Sequence, residues 1–123
     1  MSHLKKVEVG LFAAKGRGLV AKVDLHAGEV IDRCPVLVIP GPERAKLAGT
    51  IVSHYYFHWE DGDGEDDWSA AIALGSISLC NHATPPTARF ELDRQGKTIT
   101  LYALRNIVAG DEITIDYECA LWW

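Results

Sequence analysis

No apolar run in this chain approaches the roughly 20 residues needed to cross a bilayer, and no leader-length apolar stretch follows the basic start Met1-Ser2-His3-Leu4-Lys5-Lys6. Neither a membrane span nor a secretory leader is expected, and a soluble intracellular protein is. Cysteine is scarce: Cys34, Cys80 and Cys119 are odd in number and far apart. That fits reduced thiols and argues against a disulfide framework. Basic residues are outnumbered, with 12 Lys and Arg against 17 Asp and Glu and a net charge of −5. Phosphate binding needs a basic surface, so direct nucleic-acid binding is not expected. A cationic partner such as a Lys/Arg-rich peptide suits the charge better. A long disordered tract is also missing, and 123 residues, 48% of them hydrophobic, suffice for one domain with one core.

What is there reads as short strands separated by Gly and Pro turns, a β-rich domain with little helix. Val7, Val9 and Leu11 alternate with Glu8 and Gly10, the period of a strand. Gly16-Arg17-Gly18 reads as a turn that leads into the apolar Leu19-Val20-Ala21, and its glycines would let backbone approach a ligand closely. Val23 to Ile31 contains an Ala27-Gly28 turn, and the same phrase returns from Arg105 to Ile113 around Ala109-Gly110. Two copies are too few for a solenoid and suggest two similar strand–turn–strand corners. Pro35 to Pro40 is an apolar run bracketed by prolines, expected as an edge or barrel strand. A short helix is expected from Pro42 to Leu47, with Gly49 beyond its end. His54 to Trp59 reads as an aromatic strand. Ala88 to Leu92 and Thr98 to Leu104 form the clearest hairpin, turning at Asp93-Arg94-Gln95-Gly96.

Two polar stretches invite a functional reading. Glu60 to Asp67 is acidic and glycine-rich, but Asp66 stands where an EF-hand needs its turn glycine and Ile72 where it needs the bidentate Glu. A solvated loop is expected. Asn81-His82 ends the apolar stretch from Gly75, just before Pro85-Pro86 forbids regular structure. Such a position presents polar groups to a ligand, or holds a capping Asn beside a core histidine. His54, His58, Cys80 and His82 raise a metal reading, but the His54–His58 spacing suits a helix face while the segment looks strand-like, and zinc needs four well-placed ligands. No metal is expected.

Four stretches, namely Gly16-Arg17-Gly18-Leu19, Asn81-His82, Ile107 to Ile113 and Ile115-Asp116-Tyr117, fall in the order seen in SET-domain protein lysine methyltransferases. The chain most resembles the minimal, viral-type SET proteins. The resemblance covers about Lys6 to Trp122 and implies a single SET domain over 1–123, with a core of about 6–117 and an aromatic tail at 118–123. The implied fold is a set of small β-sheets with little helix and a pseudoknot-like threaded C-terminal segment, which would bring Asn81-His82 and Tyr117 together. The implied activity is S-adenosylmethionine-dependent N-methylation of lysine in a histone or other basic tail, with a homodimer left open.

By the same resemblance Tyr117 is the catalytic residue. The cofactor would rest on Lys15, Gly16, Arg17, Gly18 and Leu19, on Asn81 and His82, and on Tyr117 and Trp122. Tyr55, then Tyr56, are the expected substrate walls. The chain departs from the pattern at Arg17, a position often aromatic, at Ala83, at Thr87 where many members have Asn, and at Glu118 where Gly is usual. No Cys-rich zinc segment follows, and Trp122-Trp123 would take its place. Thr87, Glu118 and the short tail favour the alternative, a weak or inactive SET module that binds a protein partner, while Arg17 bears on the shape of the lysine channel.

Overall fold

A computed structural model describes residues 6–12 and 16–116. Lys15, Tyr117, Trp122 and the rest of the expected tail therefore lie outside the described residues. Nine strands make two sheets. One has the order β1 (Val7–Phe12), β2 (Gly16–Ala21), β9 (Glu112–Ile115), β6 (Asn81–His82). The other runs β4 (Tyr56–Glu60), β5 (Ser69–Ala73), β3 (Val30–Ile39), β8 (Thr98–Ala103), β7 (Ala88–Asp93). Among the described residues helix is limited to α1 (Gly41–Lys46) and to 3₁₀ turns at Ile51–His54 and Ser76–Leu79. Leu19, Ile77, Ile99, Leu101, Ile113 and Ile115 are fully buried in one core cluster that draws on both sheets, and no buried side-chain nitrogen or oxygen among the described residues lacks a partner.

The alternating hairpin forms as expected, with Ile99, Leu101 and Ala103 all turned inward. Strand β1 forms too, but Val9 is 51% exposed and Leu11 85%, because β1 is the outer strand of its sheet. Gly16 to Gly18 is not a turn: it opens β2, with Gly18 paired to Gly10. The aromatic strand starts two residues later than expected, since His54 closes a 3₁₀ turn and β4 begins at Tyr56.

The proline-bracketed run is not an edge. It is the second half of β3, which lies between β5 and β8. Residues 30–35 pair with β8 and residues 36–39 with β5, so Pro35 falls where the strand changes partners. Its missing N–H costs little there, and its carbonyl still accepts from the Leu74 N–H at 2.9 Å.

The two repeated corners pair with each other. Leu25 and Ile107 exchange backbone hydrogen bonds of 2.7 and 2.9 Å, and both are buried. The exchange is reciprocal in the side chains as well: Ala27 N–H donates to Asn106 Oδ1 and Ala109 N–H to Asp24 Oδ1, each at 2.9 Å. Gly28 and Gly110 hold φ of 85° and 97°, which explains glycine at both turns. Asn106→Ala is expected to leave the Ala27 N–H without its partner and to cost about 1 kcal/mol, read from the midpoint of urea unfolding.

Lys6 ties the start of β1 to the first corner through Glu29 Oε2 at 2.7 Å and the Val30 carbonyl at 2.8 Å. The His26 N–H, then Lys6, hold the Glu29 carboxyl below its ordinary pKa of 4.5. A carboxyl lowered in the fold stabilises above its unfolded pKa, and that gain is lost as pH falls through the folded value. The stability deficit of Glu29→Gln is therefore expected at pH 7 and should fade below pH 4.5 in thermal melts.

Candidate active site

The site is built around β9, which joins segments distant in sequence. Its first half pairs antiparallel with β2, Leu19 opposite Ile113. Its second half pairs parallel with β6, Asn81 opposite Thr114 and His82 opposite Ile115. Asp116 thus ends beside His82, with Oδ1 at 3.8 Å from Nδ1. Tyr117, the next residue, is outside the described residues, so the structure delivers the chain to the Asn81-His82 pair but describes no contact of the phenol.

The Asn81 amide reaches from β6 to both β9 and β2. Its Nδ2 donates to the Arg17 carbonyl at 3.1 Å and to Glu112 Oε2 at 2.9 Å. This approach needs Gly18: a Cβ there would lie 2.6 Å from Asn81 Nδ2, 2.9 Å from Glu112 Oε2 and 2.9 Å from the Phe12 ring. The NH2 side of the Asn81 amide is engaged within the protein and orders the strand expected to carry the cofactor. The His82 imidazole faces its own turn, with Nε2 3.5 Å from Thr84 Oγ1.

Beside this junction opens a cleft of about 220 Å³ lined by Arg17, His54, Tyr55, Ser78, Leu79, Cys80 and Asn81. It gathers Arg17 and Asn81 with Tyr55, which is 37% exposed. Tyr56 is placed elsewhere, packed edge-on against Trp68 at 5.6 Å: Tyr55 ends the 3₁₀ turn, whereas Tyr56 opens β4. The Cys80 thiol is buried, and burial, then the Glu112 charge, push its pKa upward, so it is a wall group and a poor nucleophile. Among the described residues no group of three or more His, Cys, Asp or Glu is placed to hold a metal. His58 instead stacks on Trp68 at 5.0 Å and meets Asp61 Oδ1 at 2.9 Å.

Glu112, Thr114 and Arg44 were missed as site or frame residues. Arg44, 3% exposed, stacks 4.0 Å over Trp68, donates through Nε to the Trp68 carbonyl at 3.1 Å, and donates through Nη2 to the Asp66 carbonyl. The acidic segment is a solvated loop as expected, but one end is anchored on a buried cation. A lone Arg on a six-residue helix carries no pattern that would reveal this.

The SET domain model matches residues 16–118. The chain belongs to the SET-domain family. It is 30% identical over 110 residues to the H3 lysine-37-specific histone-lysine N-methyltransferase of Schizosaccharomyces pombe, a match covering 89% of this chain and 71% of that one. With the H3 lysine-36-specific enzyme of Yarrowia lipolytica it shares 35% identity over 110 residues, covering 85% of this chain but 14% of the relative. A solved Plasmodium falciparum structure, a candidate histone methyltransferase, superposes with a TM-score of 0.73 at 25% identity over 98% of this chain and 100% of that one. The mainly β SET fold expected from the motifs is the fold observed, and the class is that of protein-lysine N-methyltransferases, enzymes that use S-adenosylmethionine. No described helix is long and apolar enough to cross a membrane.

Gly18→Ala is expected to force the Asn81 amide away from the Arg17 carbonyl and to cost about 1–3 kcal/mol. Chemical denaturation measures it; an unchanged midpoint would mean that the β2–β6 approach is not as tight as described.

Proposed function

We infer that residues 1–123 act as one SET domain that methylates lysine in a basic protein tail, histone tails first among them, with S-adenosylmethionine as donor. The observation that carries this reading is the cleft in which Arg17, Tyr55 and Asn81 meet beside the β6–β9 junction. The names of the S. pombe and Y. lipolytica relatives, each specific for a lysine of histone H3, support the substrate class.

The cleft's groups suit the cofactor. The Arg17 guanidinium can hold a carboxylate, the Tyr55 ring offers a π face to a cation, and the Gly16–Leu19 backbone can approach closely because Gly18 carries no side chain. Lys15, His82 and Trp122 complete the proposed contacts. When bound, S-adenosylmethionine supplies an electrophilic methyl on a sulfonium. The protein must then present a neutral amine. A lysine with a pKa near ~10.4 costs roughly 4.6 kcal/mol to deprotonate at pH 7, and packing of its chain against Tyr55 and Leu79 at the cleft wall would disfavour the ammonium form. Tyr117, one residue past Asp116, would place its hydroxyl to orient amine and methyl in line, which supplies a further share of the rate. The exposed carboxylates from Glu60 to Asp67 offer a basic tail a complementary surface.

Incubation of the protein with a histone and peptide panel and isotopically labelled S-adenosylmethionine is expected to add labelled methyl to lysine, read by mass spectrometry. Tyr117→Phe should lose most of that transfer. Binding of the cofactor with no transfer to any peptide or protein lysine would count against the reading.

A further inference from the structure

Thr87 departs from the family pattern, and on sequence grounds it counted against activity. In the structure it is the residue that holds β9 from the side that neither β2 nor β6 covers. Thr114 N–H donates to Thr87 Oγ1 at 2.9 Å, and the same hydroxyl donates to the Glu112 carbonyl at 3.3 Å. In return Thr87 N–H donates to Thr114 Oγ1 at 3.1 Å. The Thr87 carbonyl is taken by the Leu104 N–H at 2.9 Å, which fixes this loop to the end of β8. One side chain therefore satisfies a donor and an acceptor on alternate residues of the β9 backbone, at Thr114, which is buried, and at Glu112.

These are the positions that set the site. Thr114 lies opposite Asn81 in the β6 pairing, and Glu112 accepts from the Asn81 amide. Only two residues separate Thr114 from Tyr117 along the chain, so the placement of Thr114 bounds how far Tyr117 can lie from it. A hydroxyl is needed because the task is both to accept and to donate at one atom. Valine, with the same shape, can do neither and would leave the buried Thr114 N–H unpaired. Serine can do both.

We propose that Thr87 is a positioning residue for methyl transfer: its hydroxyl locks β9 in the register that sets the Asn81 amide and brings Asp116 beside His82. The proposal rests on the methyltransferase reading above and makes Thr87 a substitute for the family's Asn rather than a lesion. A small displacement of a reacting group far from its support can cost about 100-fold in rate.

The test compares wild type, Thr87→Ser and Thr87→Val by steady-state methyl transfer, calorimetric binding of S-adenosylmethionine and amide hydrogen exchange at Thr114. Thr87→Val is expected to lower kcat by about 10- to 100-fold, with a smaller change in cofactor affinity and faster exchange at Thr114. Thr87→Ser should restore kcat and protection together. Thermal melts identify the folded fraction to which rates are referred. Three results would overturn the proposal while leaving the methyltransferase reading intact: an active wild type whose Thr87→Val kcat is unchanged, a kcat loss that Ser does not rescue, or a loss matched equally in affinity as a general loosening would give. A wild type that transfers no methyl overturns the parent reading and this one with it.

Discussion

Everything at the site depends on one bifurcated donor, the Asn81 amide, which reaches the Arg17 carbonyl on one strand and the Glu112 carboxylate on another. Side-chain amides have two N–H groups on a rigid plane, so a single Asn on β6 can hold both β2 and β9, which pair with each other although distant in sequence. Gly18 makes the geometry available by carrying no side chain, and Thr87 closes the third side. The cleft is the space left at the edge of this joint. Its shape is thus a property of hydrogen bonds made before any ligand arrives, which is the condition for preorganisation.

The two corners supply the second constraint. Asp24 and Asn106 each cap the other's turn, and Leu25 and Ile107 share one buried bridge. One corner leads into β3 of the larger sheet and the other into β9 of the smaller. Their mutual pairing links the two sheets, so the frame that holds the cleft is connected to the main core by paired backbone and not by loops alone.

Much of this was legible in the sequence because local chemistry and global fold agree there. The 88–104 hairpin, the short helix and the two Ala-Gly corners carry period and turn residues that survive folding. The motif order also disclosed the family. Other features were hidden for physical reasons. Pro35 looked like an edge marker because the rule assumes one partner on each side along a whole strand, and β3 changes partners at that residue. The apolar alternation of β1 says which residues share a face, but not that nothing covers Val9 and Leu11. Gly18 and Thr87 could be noticed from their positions, yet their roles depend on β9 arriving from the far end of the chain, and no local pattern encodes that meeting. Tyr55 and Tyr56 fall on either side of the boundary between the 3₁₀ turn and β4, and an aromatic run read as one strand hides that boundary.

The dual pairing of β9 also has a consequence for biosynthesis. Each of its two neighbours, β2 and β6, emerges from the ribosome well before β9 does. Until residues 112–115 are released, neither neighbour has its partner, and the Asn81 amide has no Glu112 to reach. The β4–β5 and β7–β8 hairpins can form earlier, whereas a pairing as remote in sequence as Leu19 with Ile113 forms late. A chain that has not yet released residues 112–115 can therefore hold these hairpins while Asn81 still lacks the partner that orders the cleft's edge.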